Sequence, residues 1–592
     1  MKKFCLSLLV LLSLSAVFAE NNVIYSNPAL LTMTGKVGDR YVRWRSKEFP
    51  AKPQTWYRAT AEIRTMMEPS DGRMQFRVRN VKPDGKSIVY ATVALLKPGK
   101  LDFTTYSDVF MTRPGCAKLQ VYMILDRING QAQIRNIKIE ELSAAEAEKI
   151  LASKRVESAF FSPPVCEFAG GRSLFWGYRV STMFIAEGKV PASVSISIPA
   201  LKVNATAKVK PNDHIKEWVR IPRPMKPGRY EVTMKALDAS GKTLLEKRSF
   251  LQVINRPAYA KRLPVKSVSI DSEGFVVVNG KRTIINGIYH AHNKRGAAAI
   301  SEAGFNAAQT WAPSPASYKA VLDIMASNDI YANCVLKNIR DAKLAALMKA
   351  IKDHPAIFSW DIVDEPAIRN IKPAALAPCV TQVRALNTGR PLRISFSDPS
   401  AVKAYQACYD MPAVHKYVLP FDGLAKQGEI IRGIAREVSA GQSPQITLQS
   451  WVHWHDESQR PQTVEQTRSQ AYLVLINGAK GFWWYHFTTA YKIPHIWGAL
   501  RKLNAELYEL EPVLTGKRVV LKSSLPEVEA AQFTGGGRSI VIMVNTANKA
   551  ANVKLSGING KTLVELFAVQ PATVSGNEFT VAPEDTRIFE VK

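Results

Sequence analysis

The chain has 592 residues, 46% of them hydrophobic and 22% charged, and a formal net charge of +29. That length allows about four domains at ~150 residues each, and the apolar content excludes a chain too polar to bury cores. Beyond Cys5 the cysteines are Cys116, Cys166, Cys334, Cys379 and Cys408, an odd and widely spaced set that excludes a disulfide framework and offers no metal-ligand spacing.

Residues 1–19 read as a signal peptide. Lys2 and Lys3 form a basic start, Leu6 to Leu14 is a short apolar run, and Val17-Phe18-Ala19 is a small-residue cleavage site. The run is too short to span a bilayer, and no later segment is long enough, so no integral membrane segment is expected. The expected location is secreted or periplasmic.

Residues 20–145 read as a β-sandwich. Alternating segments such as Trp56 to Arg64 are separated by turns such as Asp71-Gly72 and Asp84-Gly85. The segment resembles a jelly-roll carbohydrate-binding module, notably in its closing strand Ile134 to Leu142. Trp44, Trp56 and Tyr57 are candidates either for stacking on sugar or for the core. Residues 146–260 open with a short Ala- and Glu-rich helical linker. They continue as a second β-sandwich, immunoglobulin-like in its hairpin of Pro227-Gly228 followed by Arg229 to Met234.

The basic excess favours these two modules. Residues 21–145 hold 20 basic and 11 acidic side chains, and residues 146–260 hold 19 and 10. A basic surface concentrates polyanions, and an anionic polysaccharide is one candidate partner. No nucleic-acid motif accompanies the charge, so no nucleic-acid partner is expected. Nothing in the chain speaks to oligomeric state.

From residue 261 to 514 strands alternate with helices, the pattern of a parallel α/β architecture. Eight candidate strands begin near Thr283, Phe305, Ile330, Ile357, Leu392, Ala413, Gln445 and Gly481. Their spacing fits a (β/α)8 TIM barrel, with a last helix over about 496–512 sealing it. Residues 515–592 return to short strands and form a small C-terminal β-domain. The fold class expected is therefore multidomain: a TIM barrel with two N-terminal β-sandwiches and a C-terminal β-domain.

In such a barrel the C-terminal strand ends face the active site. Polar and aromatic residues collect there: Tyr289-His290, Trp311, Asp364-Glu365, Asp398, His415 with Tyr417, Gln449 with Trp451, and Trp483-Trp484. Together they describe a polar pocket with aromatic walls, suited to a sugar ring. The run Ile357 to Pro366 stops at two carboxylates. Such a pair costs desolvation and repulsion, and one member can be kept protonated as a general acid. The plainer alternative is a helix N-cap followed by a first-turn acid and a proline.

Asp364-Glu365-Pro366 at the end of the fourth strand resembles the acid/base motif of the clan A glycoside hydrolases, which are (β/α)8 barrels. The resemblance implies Glu365 as general acid/base. It implies Trp483 or Trp484 as floor of the sugar subsite, with Asp364, Tyr289, Trp311, His415, Tyr417, Gln449 and Trp451 as substrate-binding residues. The run Gly478 to Tyr485 also looks like exported barrel proteins regarded as glycosidases. Two departures stand out. Asp364 replaces the usual Asn, and Gln449 occupies the place of the clan's nucleophilic Glu on the seventh strand. An amide cannot form a glycosyl ester.

Four alternatives remain open. A displaced carboxylate acts, with Asp456 and Glu457 the nominated catalytic pair and Asp398 a further candidate. The enzyme inverts through a more distant carboxylate. The substrate assists through an N-acetyl group. Or the barrel binds carbohydrate without cleaving it. His290, His292, His453 and His455 read as loop or substrate-contact histidines, so no metal and no cofactor is expected.

Overall fold

The computed structural model describes residues 22–592 apart from 37–40, 69–71, 97, 153–158, 181–190, 211–214, 337–342, 387–388, 420–421, 453–460, 559–560 and 569. Its central element is a closed barrel of eight parallel strands. They are β1 (Ile285–Tyr289), β2 (Ala307–Thr310), β3 (Tyr331–Val335), β4 (Ile357–Asp364), β5 (Leu392–Phe396), β6 (Met411–His415), β7 (Gln445–Gln449) and β8 (Gly481–Tyr485). Each pairs with the next in the chain, and β8 closes on β1 with Gly481 opposite Ile285. Barrel strands are covered on both faces, so they are apolar throughout rather than alternating. Accordingly β1, β5 and β7 are buried at every position.

The helices are α1 (Lys294–Glu302), α2 (Pro315–Ser327), α3 (Lys343–Ile351), α4 (Pro373–Leu386), α5 (Leu424–Glu437), α6 (Val464–Ile476), α7 (Phe487–Ala490) and α8 (Pro494–Leu514). Ser314 starts α2 and Thr463 starts α6 through reciprocal capping boxes with Ser317 and Gln466. Between β5 and β6 two 3-10 segments, Pro399–Ala401 and Lys403–Cys408, stand where the regular pattern would place a helix. Helix α8 is buried along most of its surface because it packs against the barrel, the second sandwich and the C-terminal domain.

Residues 23–142 form two five-stranded antiparallel sheets. Their shared core holds Tyr57 and packs Trp44 at its edge, while Trp56 is buried against the helix at Ala144–Ala152. These three aromatics therefore serve packing, not sugar stacking. Residues 159–254 form a three-stranded and a five-stranded sheet around Trp176 and Tyr178. This second sandwich is fused to the barrel: Phe175 belongs to the barrel's own core, and Ser162 Oγ lies 2.9 Å from His495 Nδ1 of α8. A three-stranded sheet over Val268–Thr283 leads into β1. Residues 517–591 build a six-stranded sheet with a two-stranded ribbon beside it. The five described cysteines are all unpaired thiols, four of them buried. No helix among the described residues is long and apolar enough to cross a membrane.

Candidate functional site

Strand β4 slips register against β5 between Asp361 and Val363. A bulge of this kind bends a strand and re-aims the residues beyond it. Glu365 comes next, with a left-handed φ of 48° that side chains other than glycine rarely adopt. Its N–H donates to Ser395 O at 2.9 Å, which pins the strained residue to β5. His290, after β1, is also left-handed, with φ 66°. Two such residues on one rim of the barrel are the kind of stored strain that marks working sites.

Glu365 Oε1 lies 2.9 Å from His415 Nε2 at the end of β6. Both side chains are mostly covered, 21% and 14% exposed, so solvent reaches the pair without dissolving it. Around them the rings gather. Tyr417 stacks beside His415 at 6.2 Å and meets Trp451 at 5.2 Å and Tyr485 at 5.7 Å. Tyr485 in turn meets Tyr289 at 5.5 Å, His290 at 5.6 Å and His486 at 4.7 Å. Burial pushes the Tyr417 phenol above its ordinary range, so the hydroxyl is a neutral hydrogen-bond group.

Asp364 points away from this pair toward Arg369, at 3.3 Å, and its side chain is half exposed. Burial at the rim still raises its carboxyl above the usual range, with His415 and Arg369 opposing the rise and Asp361 and Glu365 adding to it. Burial pushes Lys416 down to about 8, with Lys426 adding to the drop and Asp422 opposing it. Burial also takes His486 down to about 4, helped by His290 and Lys492, and its ring nitrogens meet the hydroxyls of Thr488 (2.6 Å) and Thr489 (3.1 Å).

Beneath the rim lies a second, fully buried polar layer. Arg393 Nη1 donates to Asp361 Oδ2 at 2.5 Å and to Ser395 Oγ at 3.0 Å, and its Nη2 donates to Tyr289 Oη at 2.5 Å. Gln309 and Asn333 also donate to Asp361, at 2.9 and 3.2 Å. Sequence reasoning missed the Asp361–Arg393 pair, although a charge inside each of two buried strands is a readable sign.

The structure gathers some of the nominated residues and separates others. Glu365, His415, Tyr417 and Trp451 come together at the rim, and half-buried Trp311 lies just past β2 on the same face. Tyr289 sits lower, its hydroxyl committed to the buried layer. Trp483 and Trp484 depart from expectation, since both are fully buried. Trp483 faces inward, with Nε1 donating to Gln445 at 2.7 Å, and Trp484 donates to Asn286 at 3.2 Å. Neither can floor a sugar subsite, and the aromatic of β8 that keeps some exposure is Tyr485, one position on. Gln449 ends β7 facing inward. Its Oε1 accepts from Leu419 N at 3.3 Å and its Nε2 donates to Trp451 O at 3.2 Å.

Asp398 is exposed and caps a 3-10 turn through Ser400 N at 2.9 Å, a structural role. Asp456 and Glu457, with His453 and His455, lie outside the described residues. No group of three or more metal-ligand side chains occurs among the described residues.

Fold and site together define a multidomain (β/α)8 barrel protein with a carboxylate–histidine pair and a cluster of aromatic rings at the C-terminal strand ends. No known family model matches the chain, and no curated protein matches its sequence. Among solved structures, a Geobacillus thermoleovorans alpha-amylase complexed with acarbose is similar at 10% identity and TM-score 0.39, over 54% of this chain and 99% of that one. A Clostridium papyrosolvens GH30 endoxylanase is similar at 9% identity and TM-score 0.37, over 55% and 100%. A putative beta-galactosidase of Bacteroides fragilis is similar at 11% identity and TM-score 0.32, over 92% and 90%. The barrel assignment rests on its own closed hydrogen-bond register, not on these likenesses.

Proposed function

We propose that the protein is an exported glycoside hydrolase that takes a glycan into the pocket at the strand ends, with Glu365 as the proton donor to the leaving oxygen. The observation that carries this reading is the 2.9 Å contact between Glu365 and His415 beside a cluster of aromatic rings. A carboxyl in hydrogen-bond reach of an imidazole can hold or release its proton as the glycosidic bond changes. Aromatic faces match the C–H faces of a pyranose, and the few polar groups fix its orientation. The second carboxylate assigned by this reading is Asp456 or Glu457.

The second reading, a barrel that binds carbohydrate without cleaving it, is favoured by one specific observation. Gln449 offers an amide where a nucleophile would stand, and both ends of that amide are already hydrogen-bonded to backbone. The deciding experiment is a hydrolysis screen of the full chain and of Glu365→Gln on neutral and anionic glycans, with proton NMR of the first-formed anomer. Cleavage by the native chain and not by the variant supports the hydrolase. Binding without cleavage by either supports the second reading.

A further inference from the structure

One face of the N-terminal sandwich carries a pattern that packing does not require. Its sheet is built from Tyr41–Arg45, Arg73–Val81, Ser87–Leu96 and Lys118–Asp126. Alternation along these strands sends Met74, Phe76, Val78, Val121 and Met123 into the core. The opposite face receives Arg43, Arg45, Arg77, Arg79, Tyr90 and Tyr122. Register places Arg45 and Arg77 on either side of Tyr122, and Arg79 beside Tyr90. The Arg77 guanidinium lies 5.0 Å from the Tyr90 ring, Arg43 lies 5.9 Å from Tyr122, and the two tyrosines meet edge to face at 5.7 Å. Arg79 donates to Gln120 at 3.1 Å and to the Tyr122 hydroxyl at 3.4 Å.

Arg43 with Arg45, and Arg77 with Arg79, stand two residues apart on one face of a strand, where like charges repel unless anions answer them. Glu48 lies 4.0 Å from Arg79, and Asp126 is paired with its neighbour Arg127. Arg43 and Arg45 are exposed and have no ion pair among the described residues. Guanidinium groups held over tyrosine rings present planar forks that fit a carboxylate or a sulfate two bonds at a time.

The same face leads to the barrel. Arg73, at the start of one of its strands, reaches Asp422 at 3.4 Å, with both side chains largely covered. Asp422 lies in the turn before α5, where it attracts Lys416, the neighbour of His415 in the pocket. Arg73 and Lys416 thus both answer one carboxylate, Asp422, between the sandwich face and the barrel.

We infer that this arginine–tyrosine face is a binding site for an anionic glycan, one bearing sulfate esters or uronate carboxylates. The choice of a glycan over a nucleic acid rests on the proposed function, because Arg73 joins this face to the barrel whose strand ends are assigned to a sugar.

The test uses the full chain with dextran sulfate, polygalacturonate, neutral dextran and a single-stranded oligonucleotide of matched charge. Expected is tighter binding of the anionic glycans than of dextran, falling as salt rises. Arg43→Gln/Arg45→Gln, both exposed and therefore expected to fold, should weaken that binding at least about tenfold, as the loss of charge-assisted contacts implies. The control Arg223→Gln/Lys226→Gln, which removes the same charge from the second sandwich, should change it by no more than about twofold. Equal loss in the control would overturn the site in favour of diffuse charge. An oligonucleotide bound as tightly as the sulfated glycan would overturn the ligand class. Unchanged binding in Arg43→Gln/Arg45→Gln would overturn the face. The pocket reading fails separately: if Glu365→Gln cleaves short neutral substrates as fast as the native chain, the pocket is misassigned while the face stands.

Discussion

Strand β4 carries two carboxylates in two different settings. Asp361 lies in the buried layer, 2% exposed, where an arginine, a glutamine and an asparagine all donate to it. Glu365 lies four residues on, past the register slip, at the rim and against a histidine. The first is committed to holding four strands together. The second keeps solvent contact and a partner that can exchange a proton with it. Chemistry needs a group whose protonation can change, and structure needs one whose partners never do. Under the proposed function the same residue class serves opposite ends within one strand, and burial with a full set of partners decides which.

The sharpest way to break this comparison is to neutralise each carboxyl by an amide. Glu365→Gln should lower turnover by roughly 10²–10⁴-fold, the usual worth of a general acid, while leaving the unfolding midpoint near that of the native chain. Steady-state kinetics and a melt on the same sample check both halves. Asp361→Asn should do the reverse. It leaves Arg393 buried without a counter-charge, which costs about 3–5 kcal/mol of stability by chemical denaturation. If Glu365→Gln is the more destabilised of the two, the roles assigned to the two layers are reversed.

A titration sharpens the rim side. His486 is held down to about 4, against an ordinary histidine near 6.5. An unfolded chain therefore takes up this proton first as pH falls. The folded state should lose stability between about pH 6.5 and pH 4, with no contribution from this group above that window. NMR of the imidazole signals, compared with His486→Gln, checks it. A ring that titrates near 6.5 would mean that water fills the space beside His290.

The barrel was legible because its strands are apolar runs at regular intervals, each ending in turn or polar residues. The eight starts read from such runs fall within a few residues of the observed strands. Orientation was harder. Trp483, Trp484 and Tyr485 are consecutive, and only the end of the strand decides which ring meets the pocket. Had β8 ended two residues earlier, Trp483, which shares the face of Tyr485, would have met the rim instead. The Glu365–His415 contact joins positions 50 apart, and nothing local marks it. Placement at strand ends named both residues, but their meeting comes from barrel closure alone. Arg393 was legible in principle, since a charge within Leu392–Phe396 needs a buried partner. The arginines of the N-terminal face were legible as an alternation, Arg73, Arg77 and Arg79, yet their pairing with Tyr90 and Tyr122 depends on register between strands far apart in the chain.

The smallest effect is expected at Gln449, which decides between rim and frame at the end of β7. Its amide uses both ends. The oxygen accepts from Leu419 N and the nitrogen donates to Trp451 O. Gln449→Glu keeps the acceptor and loses the donor, so a carboxylate oxygen faces a carbonyl oxygen. An unsatisfied polar contact of this kind costs about 1–3 kcal/mol. The variant should therefore be slightly less stable and should gain no cleavage of an activated aryl glycoside, because the new carboxylate is drawn toward Leu419 rather than aimed at a sugar. Asp456→Ala and Glu457→Ala, assayed beside it, should include one variant as impaired as Glu365→Gln. A covalent sugar ester on residue 449 of the Gln449→Glu variant, found by mass spectrometry, would reverse the assignment. It would place this position at the rim with Glu365, and it would make the native chain a binding barrel that lost its nucleophile.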